Sequence, residues 1–566
     1  PFYNIPFAVR LAGELSVDAL RGALAELVRR HEALRTTFRA DASGSWQVVH
    51  PAPESFHLPV ADLRALPAEW AAGETLRLMA DEAEHPFDLR RDLMLRALLI
   101  RVTMREHVLV LNLHHVAGDG WSIGVLFREL AALYGAGLHG GTPPLAPPPV
   151  QYADFAAWQR EWLRGDVLDA QLAYWRARLA DAPAVLELPT DRARPAVQSH
   201  RGEVRAFDVP PRLTARLRAL AREADATLFM VLLAAFGLLV HRLSGRGDVV
   251  VGSPVAGRVR AEVEELIGFF VNTVALRTDL SGDPSFRALV GRVRETTLEA
   301  YAHQDLPFER VVEELHPERT LSHNPLFQVA FALQNVDMAP VDLPGLTLRL
   351  EDVDTGTSKF DMFLEMSEHG DRLRGQLEYA TDLWEPATAD RMTGLFLQLL
   401  ETVAADPGRP ISRVELTDEV ERRTLTRRWS GRTSEYPRDS TVHGEFCRMA
   451  EARPDAVALA WDGGSMTYAE LHARSSRLAN HLRALGVDAD EPVALVMERG
   501  PELVVAVLGI LKAGGAYVPV DPRYPRDRMR MMLGDCRARV LVSQERLIGA
   551  VPAEGLCAVL TDGDAD

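Results

Sequence analysis

Apolar residues recur along the chain in two spacings. Positions 6–11 read as a strand, and after Ser16, a plausible N-cap, Leu20, Leu24, Leu27 and Val28 fall at helical spacing. Residues 107–115, reading H-V-L-V-L-N-L-H-H, form an apolar run of strand length and propensity. The run breaks at Gly118-Asp119-Gly120, and a helix is predicted over about 122–134. The proline-rich stretch 142–149 reads as a stiff, extended tether. Further on, Leu172, Tyr174, Trp175 and Leu179 predict a helix, 227–241 an apolar helix, and 249–255 and 271–276 strands. Alternation continues to about 406.

This pattern predicts a mixed α/β chain in which residues 1–165 and 166–410 form two lobes, each long enough for its own core. Residues 411–440 turn polar, arginine-rich and punctuated by proline and glycine, as an inter-domain linker does. In 441–566, a strand over 493–497, a helix over 502–512, a turn at Gly514-Gly515 and a strand over 516–520 make a βαβ unit and predict a parallel sheet. The chain opens on Pro1 and closes on no recognisable element, so it reads as a piece of something longer.

Composition narrows the function. With 47% hydrophobic and 25% charged residues in 566, the chain is globular, and a net charge of −17 argues against nucleic acid or anionic membrane as partner. The apolar run 228–240 stops at His241, short of a bilayer span, and the opening carries no signal-peptide pattern. Three cysteines, Cys447, Cys536 and Cys557, suggest a reducing compartment, and cytoplasmic residence is expected. Lysine occurs only at Lys359 and Lys512, which reads as the codon bias of a GC-rich genome.

The segment richest in chemistry is His114-His115-Val116-Ala117-Gly118-Asp119-Gly120, where a strand gives way to a helix. Neighbouring strand residues point to opposite faces, so one histidine can be buried while the other opens into a crevice as a general base. Asp119 can lock the turn through backbone N–H groups or an arginine, and Gly118 and Gly120 would permit positive φ. Spacing alone leaves a second reading open, in which the histidines close a strand and Asp-Gly is only a turn. Diverging neighbours with no nearby cysteine do not make a zinc site, and no resident metal or cofactor is expected.

Five other motifs accompany it in order: Arg30-His31-Glu32-Ala33-Leu34-Arg35-Thr36-Thr37-Phe38, Tyr152-Ala153-Asp154-Phe155-Ala156-Ala157-Trp158, Ile267-Gly268-Phe269-Phe270-Val271-Asn272-Thr273, His303-Gln304-Asp305-Leu306-Pro307-Phe308-Glu309 and Ser322-His323-Asn324-Pro325-Leu326-Phe327-Gln328. Together the six resemble the condensation domains of nonribosomal peptide synthetases over about residues 1–410. The resemblance implies two chloramphenicol-acetyltransferase-like lobes in a V-shaped pseudo-dimer with a tunnel between them. It implies that a donor acyl or peptidyl thioester is joined to the amine of an acceptor aminoacyl thioester. Both substrates would ride on phosphopantetheine arms of upstream and downstream carrier domains.

By position, His115 is the expected catalytic residue, with His114, Asp119 and Gly120 shaping its loop and Arg35 as partner to Asp119. Asn272 and Ser122 are weaker expectations as tunnel-lining residues, and the better reading of Asn272, Asn324 and Gln328 is structural. His31, at a helix end, is expected to cap carbonyls. The order Asp119-Gly120-Trp121-Ser122 departs from the epimerising pattern and favours ordinary peptide-bond formation. Downstream, Met466-Thr467-Tyr468-Ala469-Glu470-Leu471 and Leu511-Lys512-Ala513-Gly514-Gly515-Ala516-Tyr517-Val518-Pro519-Val520-Asp521 resemble the first two motifs of an adenylation domain. The phosphate loop, amino-acid pocket and catalytic lysine would follow, so ATP and magnesium are expected only with the remainder of that domain in cis. Two competing readings are a catalytically silent docking platform for carrier or tailoring proteins and a free-standing acyltransferase.

Overall fold

A computed structural model describes residues 2–41, 44–141, 145–316, 320–334, 343–351, 353, 355–417, 419–431 and 434–562. The first three residues of the tether expected over 142–149 lie outside them. The chain divides into two compact units, Pro1–Trp429 and Ser430–Asp566.

Among the described residues the larger unit holds two large sheets and a two-stranded hairpin, Thr36–Asp41 with Gly44–Val49. The first runs, from edge to edge, Leu346–Glu351, Asn4–Gly13, Glu106–His114, Leu95–Arg101, Val60–Asp62. The central strand Glu106–His114 is apolar at consecutive positions because both of its faces are covered. Leu109, Leu111 and Leu113 join one buried cluster with Leu20, Leu24 and Leu27, whereas Val108 and Val110 join another with Ala71 and Met79. One edge strand, Leu346–Glu351, comes from far along the chain and pairs antiparallel with Asn4–Gly13. The lobes are therefore not the contiguous blocks expected from sequence, since residues 346–351 return to the first.

The second sheet has six strands, in the order Gly202–Val209, Arg372–Ala380, Met362–His369, Val329–Gln334, Asp248–Val255, Asn272–Asp279. Helix Leu228–Ser244 runs through its core, and every residue from Met230 to Val240 is buried. A helix apolar on all sides belongs inside a protein or a membrane. Among the described residues no single helix is long and apolar enough to cross a membrane. Thr227 caps its start by accepting the Met230 N–H, and Gly245, with φ of 71°, ends it.

Ile411 and Val414, in the stretch read as the head of a linker, are buried in this second core. Arg242 binds the carbonyls of Ile411, Ser412 and Val414 and fastens the segment there. Polarity alone did not reveal this, because two apolar residues among many polar ones suffice to anchor a short 3₁₀ turn.

The smaller unit carries the predicted parallel arrangement. Strand Pro492–Val496 pairs parallel with both Ala516–Pro519 and Val540–Ser543, and helix Pro501–Ala513 makes the crossover. Thr467 and Glu470 form a capping box at the start of helix Tyr468–Ala484, so the first of the two downstream motifs is a helix entry signal.

The lobes of the larger unit meet at a buried charge cluster. Arg30 binds Glu129 through two bonds of 3.0 Å, and His31 Nε2 lies 2.9 Å from the same carboxylate. His31 Nδ1 accepts the Ile267 N–H, so Nε2 carries the proton given to Glu129. The His31 side chain thus bridges lobes; only its backbone N–H caps a carbonyl, that of Leu27. Against burial, which pushes it up, His31 and Arg30 pull the Glu129 carboxyl down to about 2. A depressed carboxyl stabilises the fold fully above its unfolded value of about 4.3, and that contribution is lost as pH falls toward 2. Glu129→Gln is expected to cost about 3–5 kcal/mol in denaturant unfolding at pH 7, because Arg30 is left buried without its anion. The gap between variant and wild type should narrow as pH falls from about 4 toward 2.

Candidate functional site

Strand Glu106–His114 ends where its partner Asn4–Gly13 begins, with Asn4 opposite His114. The His114 N–H donates to Met94 O, and the His115 N–H to Tyr3 O at 2.9 Å. A 3₁₀ turn, His115–Ala117, then carries the chain to Gly118 and into helix Gly120–His139.

The two histidines hold opposite tautomers. His114 Nδ1 accepts the Val116 N–H at 3.1 Å, which leaves the proton on Nε2. His115 Nδ1 lies 3.0 Å from Gly118 O, and because a carbonyl only accepts, Nδ1 carries the proton and Nε2 keeps a lone pair. Burial and then the charge of His115 bring His114 down to about 4. For His115, burial and then the Lys359 ammonium lower the proton affinity, while Gly118 O and Asp119 oppose them. The ring of His115 also meets Phe269 edge-on at 5.2 Å.

Asp119 anchors the turn. Its Oδ1 accepts the Ser122 N–H at 2.9 Å, as an N-cap does, and an Arg258 Nη2 bond at 3.1 Å. Its Oδ2 accepts two backbone N–H groups from the second lobe, Phe270 at 2.9 Å and Val271 at 3.1 Å. Arg258 also donates to the carbonyls of Val263 and Leu266 and lies over the Phe270 ring at 4.1 Å. Burial lowers its proton affinity and Asp119 offsets that fall only in part, which leaves a guanidinium paired at low dielectric.

Several expectations change here. Arg35 does not pair with Asp119. Its guanidinium binds His50 O and, at 3.3 Å, Glu32, so it fastens the turn Glu32–Arg35 to the hairpin beyond it. Ser122 is fully buried and is no tunnel wall; its Oγ accepts from Arg258 and Gly268 N–H, and its single proton serves Asp119 or Gly268 O. Neither Gly118 nor Gly120 has positive φ. Gly118 is extended at −169°, and a Cβ there would sit 2.4 Å from Leu113 Cδ2, so any larger residue would force that buried side chain to shift. At Gly120 a Cβ would meet only open space.

Beside this turn lies a cavity of about 360 Å³, lined by Asp119, Gly120 and Trp121 from the first lobe and by Val271, Tyr301 and Gln334 among others from the second. Asn272 is not part of its wall. Its amide donates to Gln304 O and Leu306 O and accepts the Phe308 N–H, holding that loop. Gln328 and Asn324 likewise satisfy backbone groups. Tyr152 donates to Phe269 O at 2.8 Å. No cluster of three metal-ligating side chains occurs among the described residues. Neither Arg258 nor Lys359 was read as a site residue from the sequence; one is an arginine among dozens, while the other stands out there only as one of two lysines.

A double-mutant cycle separates the two arginines. Asp119→Ala with Arg258→Ala is expected to show a coupling of about 1 kcal/mol or more in unfolding free energy. Asp119→Ala with Arg35→Ala should be additive within about 0.5 kcal/mol.

Two families match the chain: condensation domain over residues 1–426 and AMP-binding enzyme over 446–565. A linear gramicidin synthase from Brevibacillus parabrevis is 48% identical over 97% of this chain, which spans only 7% of that protein. Phosphinothricin tripeptide synthetase PhsC of Streptomyces viridochromogenes is 42% identical over the whole chain, which spans 52% of it. Among solved structures, the nonribosomal peptide synthetase FmoA3 superposes on 99% of the chain, with a TM-score of 0.79, 25% identity and 58% of its own length covered. The X-domain from teicoplanin biosynthesis superposes on 73% of this chain and 93% of its own, with a TM-score of 0.68 and 34% identity. The match across residues 1–426 makes this chain a member of the condensation-domain family, with an AMP-binding-enzyme segment following over 446–565.

Proposed function

We propose that the larger unit condenses a carrier-bound donor acyl or peptidyl thioester with the amine of a carrier-bound acceptor aminoacyl thioester. The observation that carries this reading is the His115 imidazole, with Nδ1–H committed to Gly118 O and Nε2 free to accept a proton. The acceptor nitrogen attacks the thioester carbonyl carbon, the C–S bond breaks as the C–N bond forms, and the departing sulfur leaves as a thiol once protonated. Nε2 accepts a hydrogen bond from the attacking amine and takes its proton. Holding both thioesters at the loop removes most of the entropic barrier, worth roughly 7–11 kcal/mol at the limit.

In this reading Asp119 and Gly120 shape the loop, and His114, in the opposite tautomer, braces the turn through Val116. The partners are donor and acceptor carrier domains bearing phosphopantetheine arms. The remainder of the adenylation domain in cis would supply ATP and magnesium chemistry, and the site of action is the cytoplasm. A docking role has one specific support: the related X-domain is known in a complex with OxyB. The free lone pair on His115 favours catalysis, since recruitment alone has no use for it.

His115→Ala is expected to lower dipeptidyl-thioester formation on a loaded acceptor carrier by about 100-fold or more with the melting temperature unchanged. Equal rates would leave the docking role. Because burial and Lys359 depress the His115 proton affinity, the neutral form persists below the ordinary imidazole value of about 6.5. The acid limb of the single-turnover pH–rate profile should therefore fall below about 6.5.

A further inference from the structure

Two of the 63 lysine and arginine positions are lysine, so a bias that has favoured arginine throughout has spared Lys359 and Lys512. Lys512 shows why a site retains an ammonium. Its Nζ donates to Ser475 Oγ at 2.8 Å, Ser476 Oγ at 3.1 Å and His472 O at 3.3 Å, and it lies over the Phe446 ring. That convergence suits a compact tetrahedral donor and does not suit a planar fork.

Lys359 stands where the second lobe faces the histidine turn. Two second-lobe side chains hold its backbone: its N–H donates to Glu378 Oε1 at 3.1 Å, and its carbonyl accepts from Asn324 Nδ2 at 2.6 Å. The ammonium lies 5.6 Å from the centroid of the Tyr3 ring. Tyr3 is the residue whose carbonyl fixes the His115 N–H, and its ring is 6.3 Å from that of His114. Among the described residues no carboxylate forms an ion pair with Nζ, and Glu378 is the acid that bears on it most directly. Among the side chains, His115, Arg96 and Lys359 act on the His114 imidazole, and Lys359 and Asp119 act on that of His115. Asp119 is already committed to Arg258 and three backbone N–H groups, and although it opposes Lys359 at the His115 ring, burial and the ammonium prevail there.

We infer that Lys359 is a positioning residue for His115: its ammonium, held beside the Tyr3 ring, keeps the imidazole uncharged, so that Nε2 meets the acceptor amine with its lone pair. The role deepens the condensation reading and rests on it. It also accounts for lysine over arginine, since a guanidinium would spread its charge and stack on Tyr3 instead of presenting a point charge. Burial lowers the Lys359 proton affinity, consistent with a desolvated ammonium.

Only two lysine side chains exist, so protein grown on lysine isotope-labelled at Cε gives two resonances, assigned with Lys359→Arg. Linkage requires that if Lys359 disfavours protonation of His115, protonation of His115 perturbs Lys359. The Lys359 resonance is expected to inflect below about pH 6.5 in the whole chain, and the inflection should vanish in His115→Gln. In condensation assays, Lys359→Met should move the acid limb to higher pH and lower the rate about tenfold, while His115→Ala lowers the rate about 100-fold or more. A Lys359 resonance without that inflection, or one that keeps it in His115→Gln, overturns the inference, and this spectrum decides even if Lys359→Met does not fold. An inflection that depends on His115, combined with full activity of His115→Ala, would instead overturn the catalytic reading and leave the electrostatic pairing standing.

Discussion

One carboxylate holds the geometry of the larger unit together. Asp119 accepts from the helix it caps, from Arg258 and from the Phe270 and Val271 N–H groups, and every partner but the cap belongs to the second lobe. A buried carboxylate is tolerable only when its lone pairs are met, and here a single side chain meets them from two cores at once. The start of helix Gly120–His139, and with it the preceding turn, cannot shift relative to the second sheet without leaving several buried groups unpartnered. The position of His115 is thus set by the junction between lobes as much as by its own strand.

The same junction governs charge. Arg258 neutralises Asp119 where the lobes meet, and Glu129 is neutralised by Arg30 with a hydrogen bond from His31. The strong anions near the turn are therefore spent on structure. A histidine beside an uncommitted carboxylate would hold its proton more tightly, and under the proposed condensation an imidazole that takes a proton from an amine is best left without one. With the carboxylates committed and Lys359 close by, the local field around His115 favours the neutral ring. Structural pairing and chemical readiness are two results of one arrangement.

Much of this was legible in the sequence, and the parts that were not share a cause. The strand into His114, the helix after Gly120, the core helix after Thr227 and the parallel unit after 492 all follow from local apolar spacing and caps. The histidine turn was legible because strand, glycine and N-cap residue lie within seven positions. Arg35 was a reasonable partner for Asp119 only because it stood in a neighbouring motif; Arg258 lies 139 residues beyond Asp119, in a stretch with no periodic signal. Long-range ion pairs leave no local trace when arginine is abundant. Ser122 and Asn272 were drawn toward the tunnel for a similar reason, since a polar residue in a motif reads as a ligand contact until its backbone partners are known.

Residue scarcity carries information that motif position does not. Where nearly every cation is arginine, a position that keeps lysine resists a substitution that the rest of the chain accepts. Codon bias explains the arginines without explaining the exceptions. Both exceptions sit in partly desolvated places beside an aromatic ring, Lys359 over Tyr3 and Lys512 over Phe446. At Lys512 three convergent oxygens supply the reason directly, and its position ties helix Pro501–Ala513 to Tyr468–Ala484. At Lys359 no such cradle is present among the described residues; what the ammonium faces is the turn that carries His114 and His115. A structural need for ammonium is met by oxygen acceptors, and where these are missing the charge itself is the remaining reason to keep it.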